Sequence, residues 1–316
     1  PPRSTLFPYT TLFRSTTAIS AITSTTASSG GNVTYNGGFS VTEKGVCWNT
    51  STNPTIANEK TSDGTGTGIY TSAISGLSPA TNYFVRAFAT NSVGTGYGAN
   101  QNFWTPATEP VSHPSNFNSP TKTQTSINLA WDAAAGANGY IILQRTGTSG
   151  PGSTGVIDAT APAALTFSVG TTLAATVTVG TTATITGLTA GTDYSFTIFA
   201  FAKGENDATY NYKIDGTLTK ITVKTVKAVP TIQATGLTFS NITENSLTAE
   251  WIRGNGDSCL VLIHETLPVD ADPANGSTYS QGTSLFNDGD QIGTNNFVAR
   301  SEEHTSEIQS PTTISY

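Results

Sequence analysis

Gly187-Leu188-Thr189-Ala190-Gly191-Thr192-Asp193-Tyr194-Ser195-Phe196-Thr197-Ile198 is the stretch that decides the fold. A Leu, a tight turn and a Tyr open a strand that carries Phe196, Ile198 and Ala200 on one side. That order suits a corner between two sheets. The ring packs inward, and the hydroxyl bonds backbone across the turn. Upstream, Ile127, Leu129 and Trp131 alternate with Asn128 and Ala130, which predicts a strand with one heavily apolar face. An Asn138-Gly139 turn leads into Tyr140, Ile142 and Leu143, and Leu218 to Val226 supplies a last strand.

The same grammar recurs on both sides. At 16–105 the corner reads Gly76-Leu77-Ser78-Pro79-Ala80-Thr81-Asn82-Tyr83, followed by Val85, Ala87 and Ala89. At 229–299 the strand Leu247, Ala249, Trp251 returns, followed by Cys259 to Ile263, without a Gly-Leu turn or a corner Tyr. Short strands punctuated by turn residues, with no long apolar stripe at helical spacing, predict an all-β chain of tandem sandwiches. The expected modules are 16–105, 109–227 with a long insertion between Thr146 and Thr181, and a truncated one at 229–299. The insertion, rich in Gly, Thr and Ala, has room for an extra hairpin.

The Trp on an early strand, the Gly-Leu turn and Tyr194 resemble a fibronectin type III module, within the immunoglobulin-like class of β-sandwiches. Gly45-Val46-Cys47-Trp48 and Asp63-Gly64-Thr65-Gly66-Thr67-Gly68 resemble a subtype found in tandem in bacterial exported proteins. The first module lacks the early Trp and has Trp48 instead, so its core is expected to be arranged differently. Leu77, Tyr83, Trp131, Leu188, Tyr194 and Trp251 are the expected core anchors. The resemblance implies an extracellular or cell-surface, monomeric array. Its partner would be a protein or glycan outside the cell. Short linkers at Thr105-Pro106 and Val229-Pro230 would make it a semi-rigid rod.

Both ends read as something else. Residues 5–15 resemble the in-frame translation of a sequencing-library adapter, and Arg300 to Glu307 with Ile314-Ser315-Tyr316 resemble the opposite adapter. Residues 1–15 and 300–316 are therefore expected to be artefact, with the third module cut off at the second junction.

Composition narrows the function. A net charge of −7 argues against a nucleic-acid binder, which needs a basic face. The two cysteines, Cys47 and Cys259, fall in different modules and read as small apolar residues rather than a disulfide. No apolar run reaches the length of a membrane span. The chain carries no nucleophile elbow, phosphate-cradling loop or pair of metal-binding histidines; His113 and His264 lie apart. No catalytic residue and no cofactor are expected.

Two weaker signals remain. Asp270 with Asp272 and Asp288 with Asp290 are close carboxylate pairs that could hold calcium, though turn residues are commonly Asp. Phe84, Phe88, Phe199 and Phe201 alternate away from the corner strands' inward residues. They would form outward aromatic rows able to stack on sugar rings, unless an adjacent segment covers them. The expected function is a non-enzymatic spacer and interaction array. The alternative is the accessory, carbohydrate-binding region of a secreted hydrolase whose catalytic domain lies elsewhere.

Overall fold

The structure is a computed structural model and describes residues 13–244, 246–256, 258–274, 277–280, 289–303 and 312–315. The chain divides into two compact units, Pro1–Thr225 and Val226–Tyr316. All strand pairing is antiparallel, and the only helical segments described are single 3-10 turns.

The first module is built from β1 (Phe13–Thr16), β2 (Ala27–Tyr35), β3 (Glu43–Asn49), β4 (Glu59–Lys60), β5 (Gly68–Ile74), β6 (Asn82–Thr90), β7 (Thr95–Tyr97) and β8 (Gln101–Trp104). One sheet runs β1-β2-β5; the other runs β4-β3-β6, with β7 and β8 both on β6. β5 alternates buried Tyr70, Ser72 and Ile74 with exposed neighbours, the signature of a half-buried strand. Trp48 reaches the core from β3 and packs with Val46, Ile74, Leu77, Tyr83, Val85 and Phe103. β2 carries glycine where the middle module carries bulk. A Cβ on Gly31 would lie 2.7 Å from the Tyr70 hydroxyl and 2.8 Å from the Ala87 Cβ, so Tyr70 occupies the space that a larger residue would need. Phe13, Arg14 and Ser15, within the adapter-like stretch, pair with β2.

The middle module contains β9 (Ser115–Lys122), β10 (Ser126–Asp132), β11 (Gly139–Thr146), β12 (Thr171–Val177), β13 (Thr182–Thr186), β14 (Asp193–Ala202), β15 (Asn211–Tyr212) and β16 (Thr219–Lys224). Its sheets are β13-β10-β9 and β12-β11-β14, with β15 and β16 on β14. Between them Ile127, Leu129, Trp131, Ile142, Phe196 and Ile198 form the main core. Trp131 meets Tyr140 edge-on at 5.2 Å between ring centroids. The Tyr140 hydroxyl accepts from the Ala134 amide at 3.0 Å. The region between Thr146 and Thr181 forms no hairpin of its own. It supplies a 3-10 turn at Pro162–Ala164 and then β12, which pairs with β11.

The two corners match bond for bond. The amide of Ser78 donates to the Tyr83 hydroxyl at 2.9 Å, and that of Thr189 to the Tyr194 hydroxyl at 2.9 Å. The amide of Leu77 donates to the carbonyl of Thr25 and that of Leu188 to Thr125, both at 3.0 Å. Leu77, Tyr83, Leu188 and Tyr194 are all buried.

The second unit holds β17 (Thr235–Ser240), β18 (Ser246–Ile252), β19 (Ser258–Ile263), β20 (Gln291–Ile292), β21 (Asn296–Glu303) and β22 (Thr312–Ser315). Its two sheets are β17-β18-β22 and β19-β21-β20. Arg300 to Glu303 and Thr312 to Ser315, beyond the expected module end, pair with β19 and β18. Open strand edges present unpaired backbone groups that an extended Thr- and Ile-bearing segment can satisfy. Trp251 is half-buried here rather than sealed like Trp131. Among the described residues the sheet facing it has three strands, against five for the corresponding sheet of the middle module.

Candidate functional site

Phe84, Phe88, Phe199 and Phe201 do not form an exposed aromatic row. Phe88, Phe199 and Phe201 have no solvent exposure. Phe84 is half-buried. Phe88 lies against Gly45, and the Lys60 ammonium sits 5.5 Å from its ring centroid. Phe199 and Phe201 do point away from the main core, but into a second one. Ile141, Leu143, Val156, Leu165, Tyr210 and Tyr212 surround them. β14 is consequently buried from Tyr194 through Ala202 without alternation, as a strand covered on both faces must be.

This outer core is made by the insertion and by the segment after β14. Tyr210 and Tyr212 stack with ring centroids 5.7 Å apart and planes 9° from parallel, and Phe201 lies 5.0 Å from Tyr210. The Lys203 ammonium stands 4.9 Å from the Tyr210 ring centroid. The Tyr212 hydroxyl donates to the carbonyl of Thr160 at 2.9 Å, and the Tyr212 amide donates to Asp158 Oδ1 at 2.8 Å. Burial pushes the Asp158 carboxyl up from its ordinary value, partly offset by that amide. The outer face of this sheet is therefore not a flat platform for sugar rings.

The carboxylate pairs are used locally. Asp270 Oδ1 accepts from Asn296 Nδ2 at 2.7 Å, and Asp290 Oδ2 accepts from the Ser280 amide at 2.7 Å. Asp272 lines a shallow groove beside Arg253 and Cys259. Asp288 lies outside the described residues. Among the described residues, no group of three or more His, Cys, Asp or Glu side chains is placed to hold a metal ion. His264 Nδ1 accepts from the amides of Thr266 and Leu267 at 3.3 and 3.1 Å, closing the turn after β19. His113 Nε2 donates to the carbonyl of Asp215 at 2.5 Å.

Cys47 and Cys259 form no disulfide. Cys47 is buried and Cys259 partly exposed. Burial pushes the Cys47 thiol up to about 11, which makes it a poor nucleophile. No helix among the described residues is long and apolar enough to cross a membrane.

In the second unit, an apolar cavity of about 290 Å³ opens beside β17, β18 and β19, lined by Leu237, Phe239, Leu247, Val261, Ile263 and Leu267. Leu237 and Phe239 keep more than half of their surface in solvent, at 55% and 56% exposed. With His264 and Glu265 at its side, this is an apolar crevice with one ionisable pair.

Residues 112–214, which take in β9 to β15, match the fibronectin type III domain family. The middle module is a fibronectin type III domain. Its three-stranded sheet β13-β10-β9 faces β12-β11-β14 extended by β16, with Trp131 and Tyr194 between them. The chain is similar to a two-domain fibronectin type III segment of chicken tenascin at 14% identity and a TM-score of 0.32, covering 66% of this chain and 97% of that one. It is also similar to the FN1–FN3 domains of chicken CNTN1 at 15% identity and a TM-score of 0.35, covering 67% of each chain. No curated protein matches. Sequence reasoning missed Thr105 and Thr225, which close the two corners, and Tyr210 and Tyr212, which build the outer core. Each corner Thr follows a last strand by one residue, the only signal that could have marked it.

Proposed function

We propose that this chain is a non-enzymatic spacer and interaction array from a bacterial secreted or cell-surface multidomain protein, with modules at 16–105, 109–227 and 229–299. The observation that carries the reading is the repeated corner. Consecutive modules close through the same bonds, Ser78 to Tyr83 and Thr189 to Tyr194, as repeated units of one array do. Each of these two modules has its own sealed core, and among the described residues the candidate groups serve local structure: the Cys47 thiol is held protonated by burial, His264 closes a turn, and Asp290 accepts from a neighbouring amide. Partners would be recognised through module surfaces, such as the apolar crevice beside β17 to β19, rather than through a cleft with catalytic groups.

Sequencing the source DNA outward from the codons for Asp132 and Trp251 tests this directly. Further sandwich modules with a sorting or anchoring segment support the array. A contiguous hydrolase domain assigns the chain to an accessory role instead. An intracellular enzyme on either side rejects the proposal.

A further inference from the structure

We propose that the segment 203–213 of the middle module, backed by the insertion at 147–170, forms a bracket that seats the first module, so that residues 16–225 behave as one rigid body. The purpose rests on the spacer reading above; the contact does not. β8 ends at Trp104 and β9 begins at Ser115, and a free connection of that length would let two domains swing. This one is tied along its length. The Ala107 amide donates to the carbonyl of Thr209 at 2.8 Å, and the Ala107 carbonyl accepts from Asn211 Nδ2 at 2.7 Å, so both backbone groups of a buried linker residue are used by the bracket. Further along, the Val111 amide donates to the Ala135 carbonyl at 2.9 Å, and Thr219 Oγ1 donates to the Pro114 carbonyl at 2.7 Å. The Lys213 ammonium lies 2.6 Å from Asp215 and 3.6 Å from Glu109 of the linker.

The bracket also touches the first module itself. A Cβ on Gly204 would stand 2.9 Å from the Cβ of Ala80, which sits in the turn before Tyr83 and whose amide donates to the Pro106 carbonyl at 3.0 Å. Only glycine lets the two modules approach this closely.

Bonds within the segment and to the insertion hold the bracket's shape. Thr209 Oγ1 accepts from the Gly204 amide at 2.8 Å and donates to the Asn206 carbonyl at 2.5 Å, while Asn206 Oδ1 accepts from the Ala208 amide at 2.9 Å. Tyr210 and Tyr212 then anchor the segment in the outer core, where the Ala159 amide donates to the Tyr210 carbonyl at 2.8 Å and Thr160 receives the Tyr212 hydroxyl. The outer core that holds these tyrosines is separate from the main core around Trp131.

Amide hydrogen exchange on the full chain tests the bracket, with Asn211→Ala and Gly204→Val as variants and Glu205→Ala as the control. The Ala107 amide is expected to be protected in the parent and in the control. Each variant should speed its exchange about tenfold or more while the Leu188 and Thr189 amides keep their protection. Scattering from the same samples should show a broader distribution of long distances in the variants. An Ala107 amide that exchanges at the free-chain rate in the parent overturns the proposal, as does one that stays protected in both variants. If Gly204→Val also exposes the corner amides, Asn211→Ala, which only trims a side chain, decides. Loose modules with intact corners would remove the bracket and leave the spacer reading standing.

Discussion

Thr225 Oγ1 donates to the carbonyl of Thr189 at 2.7 Å, so the residue that follows the last strand of the middle module locks the turn that presents Tyr194. The same oxygen accepts from the Thr192 amide at 3.0 Å. Thr105 repeats both bonds in the first module, to Ser78 at 2.7 Å and from Thr81 at 2.9 Å. The corner is thus a three-part clasp in which a hydroxyl from each side satisfies a turn that side chains would otherwise strip of water.

Tyr194→Phe leaves the ring in place and orphans the Thr189 amide, so the middle module should lose about 1–2 kcal/mol in urea denaturation. Thr225→Val removes the other half of the clasp. The double variant should lose less than the sum of the singles, because both act on one turn. Strict additivity would mean that the two bonds are independent.

Trp131→Ala opens a cavity in the main core and should cost about 3–5 kcal/mol, read as a fall in the urea midpoint of the middle module's transition. Phe201→Ala should cost a similar amount through the outer core. A Phe201 variant of unchanged stability would restore that residue to the surface.

Asp158 sets the sign of a pH effect. Its carboxyl is raised in the folded state by burial, so the fold binds a proton that the unfolded chain has released in the window just above the ordinary carboxylate value of about 3.9. Asp158 therefore contributes stability at low pH that is lost as pH rises through that window. Asp158→Asn should flatten this part of the stability–pH profile, measured by denaturation between about pH 3 and pH 7.

Cys47 should resist alkylation at pH 8 in the folded chain and react once denaturant is added, because its buried thiol is held up at about 11. Mass spectrometry of the labelled peptides checks this. Rapid labelling of native Cys47 would mean that β3 opens readily.

Period-two patterning made much of this architecture legible. Alternating Ile127, Leu129 and Trp131, or Tyr194, Phe196 and Ile198, can bury one face only if two sheets pack together, and the Gly-Leu turn before each Tyr marks where the chain crosses between them. The same rule set Phe199 and Phe201 on the face away from the main core, where the outer core covers them. Alternation tells which face of a strand a residue occupies, not whether something covers that face.

The sequence by itself determined an all-β chain of repeated sandwiches, because side-chain period and turn chemistry are local properties. Only the tertiary structure decided the outer core, the bracket and the clasp threonines. Tyr212 meets Thr160 across 52 positions, Thr225 meets Thr189 across 36, and Asn211 meets Ala107 across 104. Bonds of such span depend on how the sheets and loops fold back on one another, and no spacing along the chain encodes them.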